Sequence, residues 1–460
     1  MKKTFQKLIY KTMIVGTVLT VSSCSKFVEL GAPPTQILFE DAFKTDASAH
    51  SVILGIYSLS SAANNGFLTN ALFYPGISGD DLQYNGTDAG VQEFAKNALL
   101  NTNGFVNTTW STTYNLIKNA NNSISGLNAS TTLTPATKSQ LLGEAKFLRA
   151  FFYFELVNHF GDVPLPLKDD YSAFENAVLP RTPAAQVYAQ IVKDLTEAQS
   201  TLPTAYVGTF RGRANKHAAS ALLARVFLYQ KDYVNAEAQA TSVISSGTYS
   251  LPSPDVNFVN NSNEIIWQIG NATGVSVLGA SYVTSATVIP NYTLSDATYQ
   301  SFESTTDLRR TNWVTPKTIS GKTYYGISKS KVGSGTGNEY NVALRFAEQY
   351  LIRAEARAQQ NNLSGAKTDL DAVRIRAGLA GVSATLTQAQ MLTAIEQERK
   401  VELFGEWGHR WFDLKRTDRA NAVLGALRPT TWKTTSVLYP IPQAQIIINT
   451  NLTQNPGYNQ

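Results

Sequence analysis

The sequence predicts a mainly α-helical protein: paired helices form a scaffold, and an irregular set of loops and short strands forms a face on it. Three observations carry this. Apolar residues return at three- and four-residue steps through most of the stretches from about 35 to 250 and 338 to 420, the period of helices with one side on a core. A twelve-residue step between small residues occurs twice, from Ala224 to Ala236 and from Ala354 to Ala366. Between about Leu251 and Gly337 the helical period lapses, and β-prone runs such as Ile265-Ile266-Trp267-Gln268-Ile269 and Tyr282-Val283 stand among Gly, Ser, Thr and Asn.

The amino end reads as an export signal. Lys2, Lys3, Lys7 and Lys11 precede an apolar run from Met13 to Val21, which ends in Ser22-Ser23-Cys24. Basic, then apolar, then small is the order of a secretory signal peptide, here residues 1–23. A membrane-crossing helix needs about 20 apolar residues, more than this run offers; a buried first strand or helix of a folded domain is the competing reading. Val21-Ser22-Ser23-Cys24 resembles the bacterial lipobox, which implies cleavage before Cys24 and lipid on its thiol. Ser25, where an Asp would imply inner-membrane retention, implies the outer membrane. Cys24 is the single cysteine, so lipidation leaves no disulfide and no thiol chemistry.

Loss of residues 1–23 removes four of the 39 basic residues and none of the 34 acidic ones, so the net charge drops from +5 to about +1. No run of basic residues is present to neutralise phosphates, which excludes nucleic acid as a partner. A tether, residues 24–34, ends in Pro33-Pro34, and residues 35–460 are read as one domain large enough to bury a core.

A helical pattern begins near Asp41 and continues to Leu59. Residues 64–110 are expected to be loop-rich because Asn, Gly and Asp crowd the stretch to Gly90. Trp110 to Leu127 reads as a helix. Thr134-Pro135 starts another, carrying Leu141, Ala145, Leu148, Phe152, Leu156 and Phe160 on one stripe, and Thr182-Pro183 starts the next. Ala218–Phe227 and Val234–Ile244, joined by Gln230-Lys231-Asp232-Tyr233, have the spacing of a tetratricopeptide helix pair, as does the segment around Ala354 and Ala366. The helices after Thr137 and Thr182 are a third candidate pair, and about three pairs suffice for a stack to bury its faces. An ordinary helical hairpin satisfies the same spacing.

Catalytic constellations are scarce. Glu398, Glu402 and Glu406 are spaced by four and expected on one helix face, amid Arg399, Lys400, Arg410 and Arg416; matched opposite charges favour a structural ion-pair network over paired glycosidase carboxylates. The histidines, His50, His159, His217 and His409, have no zinc-type spacing. No phosphate loop, serine elbow or calcium loop is present; calcium is conceivable in the Asn- and Asp-bearing loops, but no cofactor is indicated. A saccharide-binding surface, in contrast, needs flat aromatic area and polar side chains to pair hydroxyls. The candidate ligand residues are Asp80, Asp81, Tyr84 and Asn85 in one loop, and Tyr282, Asn291, Tyr292 and Trp313 in the aromatic-rich stretch from 251 to 337. Trp110 and Trp267 are assigned to the core.

Several stretches together resemble the SusD/RagB family of outer-membrane nutrient-binding lipoproteins. They are Gly143-Glu144-Ala145-Lys146-Phe147-Leu148-Arg149-Ala150 with Gly161-Asp162-Val163-Pro164-Leu165, then Asn215-Lys216, Asp307-Leu308-Arg309, Arg345-Phe346-Ala347-Glu348 and Ala354-Glu355-Ala356. Ile395 to Arg416, Leu438-Tyr439-Pro440-Ile441-Pro442 and Asn455-Pro456-Gly457-Tyr458 complete the series. The resemblance implies a scaffold of four tetratricopeptide-like helix pairs, no catalytic residues, and a lid position over a SusC-type TonB-dependent transporter at the cell surface, where oligosaccharides, or in some branches peptides, are captured. A secreted glycoside hydrolase using acids such as Asp80 or Asp81, and a helical-repeat adaptor that binds protein alone, are the alternatives.

Overall fold

The computed structural model describes residues 39–62, 66–167, 178–208 and 210–459. Cys24, the leader and the tether lie outside the described residues.

The chain enters through α1 (Phe39–Ala42), α2 (Asp46–Ser61) and α3 (Phe67–Ser78), followed by β1 (Leu82–Tyr84) and α4 (Ala89–Lys96). Two 26-residue helices, α5 (Gly104–Ala129) and α6 (Pro135–Phe160), lead into α7 (Ala184–Thr201), α8 (Lys216–Tyr229) and α9 (Tyr233–Ile244). The less regular part holds β2 (Ile265–Ile269), α10 (Val277–Tyr282), β3 (Tyr292–Leu294), α11 (Asp296–Gln300), α12 (Leu308–Trp313), β4 (Val314–Ile319), β5 (Lys322–Ile327) and β6 (Asn341–Arg345). The scaffold resumes with α13 (Phe346–Gln359), α14 (Leu363–Arg376), α15 (Gln388–Leu403), α16 (His409–Arg416) and α17 (Ala420–Leu427), and α18 (Gln443–Ile448) lies near the carboxyl end.

Sequence neighbours pack as spatial neighbours. α5 packs on α6, α6 on α7, α7 on α8, α8 on α9, α9 on α13 and α13 on α14, the layering of a tetratricopeptide-like stack. The twelve-residue step has a simple cause: Ala224, Ala236, Ala354 and Ala366 are all fully buried, and only a methyl-sized side chain lets two helix axes approach so closely. Buffering of the helix ends is local. Asn215 caps α8 by accepting from Ala218 N at 2.9 Å, and its amide donates to Thr204 O at 2.8 Å. Asn215→Ala loses both bonds at a buried position and is expected to cost about 2 kcal/mol, read as a lower urea midpoint.

The strands form a four-stranded antiparallel sheet in the order β1-β3-β5-β4 and a separate β2-β6 pair. One hydrophobic core runs from α2 to the carboxyl-terminal segment, and a smaller cluster fills the space between α13, α14 and α15. Trp110 and Trp267 are both in the core, as their positions on regular elements imply.

Two expectations about local structure are corrected. Residues 64–110 are mostly helical, not loop-rich: α3, α4 and the start of α5 lie there. Of the 12 residues of α3, all but Thr69 are buried. A helix that is covered on every side has no polar stripe, so the periodic signal on which a sequence reading depends is absent. Secondly, Glu406 does not share a helix with Glu398 and Glu402, since α15 stops at Leu403 and Gly405 and Gly408 adopt φ of 67° and 64°. The turn nevertheless returns Glu406 to the same buried cluster. Arg345 bonds Glu406, Glu402 and Glu264, Arg309 bonds Asp307, Glu398 and Glu402, and Lys329 bonds Glu406.

Candidate ligand-binding cleft

The sequence-nominated residues converge on the β1-β3 edge, but most of them are inside the protein. Tyr84 lies opposite Tyr292 in the strand register, and their rings are tilted against each other at 5.4 Å. Tyr292 in turn stacks on Phe73 at 4.3 Å and 6°, and Tyr282 meets the same Phe73 edge-on at 5.4 Å. Tyr282, Tyr292 and Trp313 are buried, so these three nominations are corrected to core positions. The reason is the size of the rings: Tyr292 on β3 and Tyr282 and Trp313 at the ends of α10 and α12 are the bulk that fills the space where these short elements pack on the scaffold. Trp313 is on the far side, its Nε1 donating to Pro254 O at 2.6 Å and its ring lying 4.6 Å from Lys329 Nζ.

The two acids are also internal. Asp80 accepts from Arg410 at 2.6 and 3.1 Å and from Lys400 at 3.3 Å. Burial raises its pKa, but those two cations outweigh burial and hold it below the ordinary value. Asp81 is 1% exposed; Gly405 N donates to its Oδ2 at 3.1 Å, and its Oδ1 has no partner among the described residues. Burial pushes this carboxyl up to about 7. Neither acid is presented to a ligand. Tyr84 and Asn85 remain half-buried and Asn291 exposed. The Asn85 amide is occupied by Pro290 O and Thr293 Oγ1, both at 3.0 Å.

A concave site lies elsewhere. A cleft of about 620 Å³ opens between the outer stripe of α2, a strap that contributes Val207, Gly208, Phe210, Gly212 and Arg213, and the exit of β2 at Gly270-Asn271-Ala272. That volume is within the range of small-molecule sites. Leu54, Ser58 and Ser61 fall at four- and three-residue steps along α2, with Ala62 at its carboxyl cap, beside the buried stripe of Ala49, Ile53, Ile56 and Ser60. Tyr57 belongs to both stripes; its hydroxyl accepts from Ala214 N at 3.0 Å, and burial, reinforced by Glu144, keeps it protonated.

The strap is fastened to β2. Gln268 N donates to Arg211 O at 3.1 Å, Trp267 Nε1 to Gly212 O at 3.0 Å, and Tyr206 Oη to Ile266 O at 2.8 Å. Phe210 is thereby laid flat over two glycines. A Cβ on Gly212 would come within 2.2 Å of its ring and one on Gly270 within 2.7 Å, so only glycine allows this approach. Tyr340 flanks the ring at 5.2 Å. The result is a half-buried aromatic floor held by backbone, with Ser58, Ser61, Asn271 and Arg213 as polar groups around it.

Arg213 is anchored from behind. Its Nε and Nη2 donate to the wholly buried Glu144 at 2.9 and 2.6 Å, and this pairing overcomes the burial that would otherwise lower its pKa. Among the described residues no group of three or more His, Cys, Asp or Glu side chains is placed to hold a metal ion.

None of the cleft residues was singled out from sequence. The available signal was an aromatic set between glycines, Gly208-Thr209-Phe210-Arg211-Gly212, in the long connection between α7 and α8, where a ring in a loop has no core face to serve.

A tetratricopeptide-like stack that carries an aromatic-floored cleft among its connecting segments defines a class of helical-repeat proteins. The chain belongs to the SusD/RagB family. The SusD family model matches residues 257–458, and a second model, described as "Starch-binding associating with outer membrane", matches residues 57–228. SusD-like protein P2 of Formosa agariphila is 28% identical over 98% of this chain and 99% of its own length. Among solved structures, a SusD superfamily protein from Bacteroides vulgatus superposes with a TM-score of 0.82 at 20% identity, over 90% of this chain and 100% of the other. A laminarin-binding SusD-like protein superposes with a TM-score of 0.76 at 24% identity, over 90% of this chain and 100% of the other.

Proposed function

We infer that this protein is a non-catalytic binding protein that captures oligosaccharides at the outer membrane and passes them to a SusC-type TonB-dependent transporter. The observation that carries the reading is the Phe210 floor: a flat ring held over two glycines, in a cleft edged by the Ser58 and Ser61 hydroxyls and the Arg213 guanidinium, offers what a sugar ring needs on its C–H face and at its rim. Support comes from the family model named for starch binding and outer-membrane association, and from the laminarin-binding structural neighbour. Lipid at Cys24 is the proposed anchor, and no described helix is long and apolar enough to cross a membrane.

The hydrolase alternative loses its nominated acids, since Asp80 and Asp81 are buried in the scaffold. A peptide ligand is the second outcome to be tested, because the same floor accepts an apolar side chain.

The test is a glycan and peptide screen on the mature chain, followed by calorimetry with Phe210→Ala. Loss of the ring is expected to weaken saccharide binding about tenfold to a hundredfold, the equivalent of removing one well-packed aromatic contact, with no change in the unfolding midpoint beyond a small decrease. Undiminished binding by the variant would remove the cleft from the reading. Copurification of a barrel protein with the lipidated chain tests the transfer step, and its absence from detergent extracts would count against delivery.

A further inference from the structure

The charge pattern of the cleft specifies the ligand more narrowly, on the reading that this cleft is the binding site. Its lining contains one formal charge, Arg213. Arg213 is not a free cation: two of its nitrogens are committed to Glu144, and Nη2 also approaches His50 Nδ1 at 3.3 Å. Gln140 Nε2 donates to the same Glu144 at 2.9 Å, and this carboxylate is wholly buried and does not line the cleft. Nη1 is the remaining edge of the group and has no partner among the described residues.

An incoming carboxylate or sulfate would therefore meet a closed ion pair of zero net charge. It would surrender hydration without a countercharge to replace it, a cost of several kcal/mol for a desolvated anion. A hydroxyl gives up far less and gains a charge-assisted N–H···O bond from Nη1. The Ser58 hydroxyl can donate and accept, and the Ser61 hydroxyl, which donates to Ser58 O, offers a further acceptor, as paired hydroxyls require; Asn271 is committed to Val275 O and to Thr273 and Gly274 N and only shapes the rim. At long range, a mature net charge of about +1 provides no field to draw in polyanions.

We propose that the cleft selects uncharged saccharides over uronate-bearing or sulfated ones, with Arg213 reading a ring hydroxyl through Nη1 and Glu144 cancelling its charge. Arg213 is here a specificity-determining residue, and Glu144 a positioning residue acting through it.

The experiment is calorimetry on the mature chain, at low and high salt, with laminarin oligosaccharides and neutral galactans against oligogalacturonate and sulfated galactans of equal length. Neutral ligands are expected to bind with an affinity that salt leaves unchanged, and the acidic ones at least about tenfold more weakly. Glu144→Gln restores the positive charge and is expected to move the preference toward acidic ligands by about tenfold. Glu144 is buried and its variant can fail to fold, so the salt series on unaltered protein stands as the independent measurement. Tighter binding of the acidic ligand, or affinity that falls steeply with salt, overturns the proposal. If Phe210→Ala abolishes binding while acidic ligands are preferred, the cleft stands and this inference falls. If Phe210→Ala affects no saccharide, or if neither class binds, the cleft assignment falls and the inference with it.

Discussion

Arg345→Ala is expected to destabilise the protein by about 3–5 kcal/mol at neutral pH, because it leaves buried carboxylates without their shared cation. Arg345 is 2% exposed and touches three acids: Nε donates to Glu406 at 2.8 Å, and Nη1 to Glu264 at 2.9 Å and to Glu402 at 2.6 Å. Nη2 adds a bond to Glu402 O at 2.6 Å. Glu264 precedes β2, and Glu402 and Glu406 flank the end of α15, so the guanidinium at the end of β6 joins three parts of the chain. Burial by itself would raise the pKa of Glu402, but Arg376, Arg345 and Arg309 outweigh it and hold the group far below the carboxylate range. The stability that this depressed pKa contributes is present above the unfolded value near 4 and is lost as the pH falls below it. The variant should thus unfold at a markedly lower urea concentration at pH 7, with an unchanged denaturant slope, and the gap to the parent should narrow on acidification. An equal midpoint at pH 7 would show that Arg309 and Arg376 suffice for the cluster without Arg345.

Asp81→Asn should have the opposite sign. The Asp81 carboxyl is pushed up to about 7 by burial, with Asp80 adding repulsion and Gly405 N only partly compensating. A folded-state pKa above the unfolded one means that the native state holds a proton which the unfolded chain has released. Folding is therefore penalised increasingly from about pH 4 to about pH 7, and constantly above that. The penalty amounts to about 4 kcal/mol between the two limits. Asparagine keeps the acceptor for Gly405 N and has no proton to lose. The stability difference between variant and parent should grow by about that amount in the variant's favour from pH 4 to pH 8, as followed by urea midpoints across the range. A difference that does not change with pH would show that Asp81 titrates normally in the folded protein. Its neighbour Asp80, paired with Arg410 and Lys400, should behave in the reverse sense when the pH falls.

The scaffold was legible for a physical reason. Helices that bury one stripe must write that stripe into the sequence, and close helix pairs must place small residues at fixed steps, which Ala224, Ala236, Ala354 and Ala366 do. The matched charges of Ile395–Arg416 likewise announced an ion-pair cluster, although Glu406 reaches it from a turn beyond the helix. The nominated aromatics were misplaced because composition does not tell a ring packed into the core from a ring over a groove: Trp313 and Tyr282 have the same residue chemistry as a ligand platform and are core. α3 was missed because a helix covered on every side carries no polar stripe.

The sequence alone determined the helical class, the order of the scaffold elements and the family, since each depends on local spacing or on motifs read in order. Tertiary structure decided which polar and aromatic groups face solvent. Leu54, the strap residues Phe210 and Arg213, and Asn271 come from three separate parts of the chain and become one cleft only when the strap docks on β2 beside α2, because a binding surface is set by which backbones approach one another and not by the period of any one of them.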